Sequence, residues 1–318
     1  MTTYGFHASH EQISPRQLLA DVQRAEEVGF QAAMCSDHVE PWSERQGHSG
    51  MAWPWLGAAL ATTNLTFGTV TAPGQRYHPV VVAHAMATLG QMFPGRFWTA
   101  LGSGEFANEH VTGEPWPDKE TRQLRLEECV DVIARLLAGE TVTHEGLVSV
   151  HEGRLWEVPD PRPGMIAPAI SVPTAVRGAA WADGLATINQ APEVLRRMLD
   201  AWDDAGGPDH KILQVHLSWA PTEDEAYAIA HDQWRSNVFA APACWDLTRA
   251  SFDEVSREGV SEEQVRRSVL VSSDLGELTE RIHDLAELGF GSVYLHHVGQ
   301  DQTPFLDAFG EKVLPQLD

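Results

Sequence analysis

Residues 31–38 read Gln31-Ala32-Ala33-Met34-Cys35-Ser36-Asp37-His38, a run of mostly small and apolar side chains that suits a buried strand, followed at its C-terminal end by a carboxylate and an imidazole. In an α/β barrel that end of each strand is the face that carries the chemistry. Upstream, Thr3-Tyr4-Gly5-Phe6-His7 has strand character, and Ser14-Pro15 supplies an N-cap and a first-turn proline. Leu18, Leu19, Val22, Ala25 and Val28 then recur at helical spacing until Gly29, which completes one βα unit. The rhythm continues outward: helix at Leu56 to Ala61, strand at Leu65 to Val70, helix at Val80 to Met92, strand at Phe97 to Leu101, helix at Leu124 to Leu137. Ala167 to Val172, Gly184 to Ile188 and Leu213 to Trp219 are the next expected strands, then a helix over 222–236, a helix over 274–288, a strand at Ser292 to His296 and a terminal helix over 301–314. Strands alternating with helices favour a parallel sheet covered by helices. The expected fold is an α/β, (β/α)8 TIM barrel, one domain over residues 1–318, with a hairpin insertion near 140–158 and a polar, breaker-rich excursion near 238–262 that suits a lid.

A chain of 318 residues buries enough surface to need no disulfide or metal staple. Cys35, Cys129 and Cys244 are few, far apart and without metal-ligand spacing, so a reducing, cytoplasmic home is expected. The net charge of -23 repels phosphate backbones and anionic lipid heads, and no basic run offers an exception, which disfavours nucleic acid and membranes as partners. Residues 1–13 lack the basic start and apolar core of a signal peptide, and no apolar stretch approaches the roughly twenty residues of a membrane span. A small-molecule substrate remains.

Two constellations can carry chemistry. Ser36-Asp37-His38, with Glu40, Pro41 and Trp42 just beyond, places an acid, an imidazole and an indole in one loop. Histidine titrates near neutrality and can take the proton that leaves when a hydroxyl-bearing carbon loses a hydride; an Asp-His pair that merely caps a strand is the commoner outcome. Gly102-Ser103-Gly104-Glu105 follows an apolar strand and precedes Asn108 and Glu109 on a helical first turn, so its glycines free backbone N–H groups for a ligand while Glu105 reaches the rim. It falls short of a GxGxxG fingerprint, which disfavours a Rossmann site, and Gly102-Ser103-Gly104 lacks the GxSxG spacing of a nucleophile elbow. Fifteen histidines without HExxH or Cys partners leave a metal-dependent hydrolase as a minor alternative, with no metal expected.

In order along the chain, Phe6-His7-Ala8-Ser9-His10-Glu11-Gln12, Ser36-Asp37-His38, Pro41-Trp42, Arg76-Tyr77-His78-Pro79, Ala87-Thr88-Leu89, Gly102-Ser103-Gly104-Glu105-Phe106-Ala107-Asn108-Glu109 and His296 with Gly299-Gln300-Asp301-Gln302 form a pattern that resembles the F420-dependent glucose-6-phosphate dehydrogenases of the luciferase-like superfamily. The resemblance spans nearly the whole chain. It implies a flavin or deazaflavin oxidoreductase in which His38 is the acid-base residue, Trp42 stabilises the reacting pair and Glu105 is the acid near the cofactor ring. It implies cofactor contacts from Asp37, Val70, Thr71, Ser103, Gly104, Asn108, Ser171, Val172 and Thr174, a substrate pocket that includes Glu11, Trp245, Arg267 and His296, and a homodimer.

The departures from the family are specific. Its Ser-Val pair with an unusual cis peptide corresponds to a stretch one residue shorter around Val70-Thr71, and its Ala-Gly-Gly-Pro phosphate turn corresponds to Ser171-Val172-Pro173-Thr174. The substrate-phosphate lysines have no counterpart, since Lys119, Lys211 and Lys312 are expected elsewhere, Cys244-Trp245-Asp246-Leu247 fills the cationic region, and the family's arginine aligns with Ser268 beside Arg267. A non-phosphorylated substrate is expected. The chain also resembles a sister subgroup described as non-F420 flavinoid oxidoreductases, which tips the expectation slightly from F420 to FMN. The rival from another class is a flavin-binding protein that stores or senses the cofactor without turnover.

Overall fold

The computed structural model describes residues 2–239, 245–257 and 259–317. Its strands are β1 (Thr3–Ala8), β2 (Ala32–Ser36), β3 (Thr66–Thr71), β4 (Phe97–Leu101), β5 (Val142–Glu145), β6 (Ser149–Gly153), β7 (Gly164–Pro168), β8 (Gly184–Ile188), β9 (Lys211–Trp219), β10 (Leu270–Ser272) and β11 (Ser292–His297). β1, β2, β3, β4, β7, β8, β9 and β11 pair in that order, all parallel, and β11 returns to β1, closing an eight-stranded (β/α)8 barrel. The short β10 joins β9 at Leu217–Trp219, beyond the stretch Lys211–Gln214 that pairs with β8. β5 and β6 form the antiparallel hairpin expected from the sequence.

Helices wrap the barrel because their apolar stripes match its outer face. In Pro15–Glu27 the buried positions are Leu18, Asp21, Val22 and Ala25, and Pro15 takes the first turn, although the Ser14 side chain makes no capping bond. The barrel interior is plugged near its N-terminal end by Met34, Trp98, Ile166, Ile212 and Tyr294, with Trp98 and Tyr294 edge to face at 6.0 Å. Gly68 permits this plug: a Cβ there would lie 2.0 Å from Trp98 Cζ2. Strand side chains above the plug open into a cavity at the C-terminal face, where such barrels place their sites.

Three expectations need correction. Ala167 to Val172 is not one strand: β7 ends at Pro168, and Val172 opens the helix Val172–Gly178. The apolar run misleads because Ala169 and Ile170 continue it past the strand end: Ala169 N still donates to Ala186 O of β8 at 2.9 Å, but both residues line the cavity. Helix Pro192–Asp204 and β10 escaped the reading; β10 is only three residues long, too short for periodicity to register. Lys119–Leu137 begins earlier than Leu124 because Asp118 caps it, its Oδ1 accepting from Thr121 N at 2.8 Å. Cys35 and Cys129 are buried free thiols, whereas Cys244 and part of the 238–262 excursion lie outside the described residues. Among the described residues no helix is long and apolar enough to cross a membrane.

Candidate active site

Where β2 ends, Asp37 is held from four directions. Its N–H donates to Val70 O at 2.9 Å, Thr71 Oγ1 donates to Oδ2 at 2.8 Å, Tyr77 OH reaches Oδ1 at 3.4 Å, and Arg76 Nη2 donates to its carbonyl oxygen at 2.5 Å. Arg76 also stands 3.7 Å from Glu109 Oε1, and its N–H donates to Glu109 Oε2 at 2.7 Å. One residue thus ties the end of β2 to the segment after β4, and His38 projects from a rigid base.

His38 sits between two carboxylates. Nδ1 is 2.6 Å from Glu11 Oε1, and Nε2 is 3.8 Å from Glu105 Oε2. The first contact is a close ion pair. Glu11 Oε2 is fixed by Ser9 Oγ at 2.9 Å. Trp42 stands edge-on to His38 at 5.3 Å and meets Phe252 at 5.2 Å on its other side, so helix Arg249–Arg257 of the expected excursion packs over the site. Arg45 Nη1 to Asp253 Oδ1, 2.7 Å, secures that helix to the β2 loop.

The electrostatics follow from this row. Burial disfavours the imidazolium, but the Glu11 carboxylate, with a smaller contribution from Glu105, overrides it and lifts His38 to about 9. Burial pushes Glu11 up, and the adjoining His38 charge more than reverses this, holding its carboxyl below the usual range. Glu105 has the opposite balance: burial, with help from Glu11, outweighs the more distant His38 and raises it to about 7. Asn108 positions it, donating from Nδ2 to Glu105 Oε2 at 3.4 Å while its Oδ1 accepts from Val39 N at 2.8 Å and Glu40 N at 3.2 Å. Gly104, at φ 83°, makes the left-handed turn that delivers Glu105 to the rim.

These groups line one cavity of about 690 Å³. Of the residues expected from sequence, His38, Trp42, Glu105, Asp37, Val70, Thr71, Ser103, Gly104, Asn108, Ser171, Thr174, Glu11, Trp245, Arg267 and His296 all face it. Val172 does not: it turns toward the hydrophobic core as the first residue of its helix. Val70 and Thr71 are joined by a trans peptide bond, the cis bond of the described chain being Asp160-Pro161. Arg267 lies at the mouth, largely exposed and paired with Glu263 at 2.5 Å.

Lys119, given no place in the site from sequence, lines the cavity, and Arg122 lies one helical turn on. Arg122 covers Trp116 at 4.3 Å, stands 3.7 Å from Asp246 Oδ1, and keeps its buried Nε without a hydrogen-bond partner. Ser171 Oγ and Thr174 Oγ1, 3.0 Å apart, also line this cavity. An unpartnered guanidinium N–H, a lysine and two hydroxyls are a donor set that fits a phosphate-bearing cofactor. Sequence reading also passed over Gln214, His216 and Trp234 and gave His7 no pocket role; the signal for Gln214 and His216 was polar residues alternating into an otherwise apolar strand. Among the described residues no three His, Cys, Asp or Glu side chains converge as a metal site requires.

The chain is 34% identical over 330 residues to the F420-dependent glucose-6-phosphate dehydrogenase of Beutenbergia cavernae, covering 100% of this chain and 98% of that protein. It is 35% identical over 331 residues to the enzyme of the same name from Microbacterium testaceum, covering 99% and 97%. Among solved structures, an F420-dependent secondary alcohol dehydrogenase in complex with an F420-acetone adduct superposes with a TM-score of 0.91 at 29% identity, covering 100% of this chain and 99% of that one. The profile of the family described as luciferase-like monooxygenase matches residues 1–292, and the chain belongs to that family.

Proposed function

We propose that this chain is an F420-dependent oxidoreductase that moves a hydride between the deazaflavin and the carbinol carbon of a small secondary alcohol without a phosphate group. The observation that carries the reading is the row Glu11, His38, Glu105, a raised imidazole between one carboxylate held ionised and one that titrates near neutrality. A binding protein needs neither. When bound, the deazaflavin supplies the ring carbon that accepts or returns the hydride. His38 takes the hydroxyl proton as the alcohol becomes a ketone and returns it in the reverse direction; Glu11 stabilises the imidazolium so formed. Glu105, in its protonated form, answers the negative charge that the hydride brings to the cofactor. Trp42 and Phe252 exclude water from the reacting pair. Ser171, Thr174, Lys119 and Arg122 would hold the phosphate of the cofactor side chain.

The sequence tips slightly to FMN, but the relatives named above are F420 enzymes, and their names support F420. Titration of the purified chain with F420 and with FMN, followed by turnover on a secondary alcohol, tests the reading. F420 is expected to bind more tightly and to be reduced; tight FMN binding with no response to F420 would overturn the cofactor assignment. An uncharged substrate is supported by the interior, where burial holds His7 near 4 and His216 near 3, leaving no fixed cation beside the plug.

A homodimer is part of the same proposal. Helices Ala52–Thr62 and Pro79–Met92 contain no Asp, Glu, Lys or Arg. Their outer face exposes Val81 and Met92 beside a groove lined by Trp53, His84 and Thr88. On a chain of net charge -23, two copies meet with least repulsion through such a neutral face. Val81→Glu is expected to shift the dimer toward monomer in light scattering; an unchanged mass would exclude this face.

A further inference from the structure

On β9 the inward positions above the plug are Gln214 and His216. β11 pairs alongside with Tyr294 opposite Gln214 and His296 opposite His216, and His7 of β1 stacks on His296 with ring centroids 4.3 Å apart. An amide and three imidazoles therefore lie together across three neighbouring strands, lining the same cavity as His38.

Their protons can be assigned by following the hydrogen bonds inward from a backbone carbonyl. Gln12 Nε2 donates to Val298 O at 2.5 Å and to Gln233 Oε1 at 3.3 Å, so Gln12 Oε1 is an acceptor. His296 Nε2, 2.8 Å away, donates to it and carries the proton. Burial and the neighbouring imidazoles hold His296 well below its ordinary value, so the ring is neutral and Nδ1 accepts from Gln214 Nε2 at 3.3 Å. The other N–H of Gln214 goes to His216 Nε2 at 3.1 Å. His216 is neutral as well, so its single proton sits on Nδ1. A carbonyl cannot flip, and each later orientation is set by the one before it. Both amide hydrogens of Gln214 are engaged; its Oε1, an acceptor, and His216 Nδ1–H, a donor, have no hydrogen bond to any described residue.

We propose that Gln214 Oε1 and His216 Nδ1–H form a second substrate subsite, which takes a hydroxyl group of an uncharged alcohol other than the carbinol served by His38. The inference rests on the hydride-transfer reading above and narrows its substrate class to diols and polyols with a secondary carbinol. A hydroxyl is the group that donates to one atom and accepts from the other. A phosphate or carboxylate would turn an acceptor toward Gln214 Oε1 with no cation among these side chains to compensate, and a monoalcohol would leave both atoms unpaired on desolvation.

The test compares pentane-1,4-diol, 2-pentanol and glucose 6-phosphate on the full chain saturated with F420. The diol is expected to have the highest kcat/KM, and Gln214→Leu to lower it about tenfold while changing 2-pentanol by less than about twofold. Equal losses on both alcohols would reduce Gln214 to a structural role, and a preference for glucose 6-phosphate would overturn the subsite. A second arm needs no turnover: in isotope-labelled wild-type protein the His216 ring should carry its proton on Nδ1, and the diol but not 2-pentanol should shift that signal. Absence of the shift overturns the subsite whatever the kinetics. A shift without reduction of F420 by any alcohol removes the hydride-transfer reading and leaves the subsite standing.

Discussion

His38→Ala is expected to lower kcat/KM for alcohol oxidation by about 10²- to 10⁴-fold, the usual contribution of a positioned acid-base group, while F420 affinity stays within about twofold. The two effects separate because His38 touches carboxylates and Trp42, whereas the donors that suit the cofactor phosphate lie on Ser171, Thr174, Lys119 and Arg122. The substitution carries a structural consequence as well. Glu11 is held ionised chiefly by the His38 charge against its own burial, so the alanine protein leaves a buried carboxylate without its pair, and breaking such a pair costs about 3–5 kcal/mol in fully buried cases. The cavity beside it admits water and reduces that figure. Glu11→Gln in the same protein should recover stability without recovering turnover, measured by urea unfolding and F420 reduction. A single variant that retains wild-type turnover would end the acid-base role of His38 and return the protein to the storage reading.

The elements most legible in the sequence were those with strong periodicity and a local stop signal. Pro15 to Gly29 and the strand into Asp37-His38 are recoverable because apolar spacing, proline and glycine agree at every step. Legibility failed where one apolar run served two purposes: Ala169 and Ile170 look like strand but line a cavity; Val172, expected in the site from its place in the turn matching the family's phosphate loop, has its side chain against the core. The acid-base row was visible only as separate fragments. Glu11, His38 and Glu105 come from three strand ends, and nothing local states that Glu11 lies 2.6 Å from His38, because barrel closure brings them together. Lys119 and Arg122 were missed for a related reason. Their helix enters the cavity rim by way of the Asp118 cap, whose position depends on the preceding loop rather than on helical spacing. Gln214 and His216 did carry a signal, polar residues at alternate positions of an apolar strand, which marks an inward face that is wet rather than packed.

The pH dependence of alcohol oxidation should reveal which protons are in place. In the proposed mechanism oxidation requires His38 deprotonated and Glu105 protonated, yet His38 lies near 9 and Glu105 near 7, so this arrangement is a minor form at every pH. Its population is nevertheless bell-shaped: it rises as protons leave up to about 7, is flat between the two values, and falls above about 9 as the second proton is lost. The limbs belong to the coupled pair rather than to either residue alone. Glu11→Gln changes this balance because burial lowers His38 and the Glu11 charge is the main opposing influence; the same charge helps to raise Glu105, so its removal moves both groups down, His38, which touches Glu11, the more. The required arrangement then gains population, and the alkaline limb moves down from about 9. Glutamine keeps the size of the side chain and can still accept from Ser9 Oγ, so the geometry around His38 is conserved while the charge is removed. A pH profile of kcat/KM from 5 to 10 (the range over which about 90% of both titrations is covered) decides the matter. An alkaline limb that stays near 9 in Glu11→Gln would mean that Glu11 does not set the proton affinity of His38, and the ion pair would then be a structural contact without a catalytic purpose.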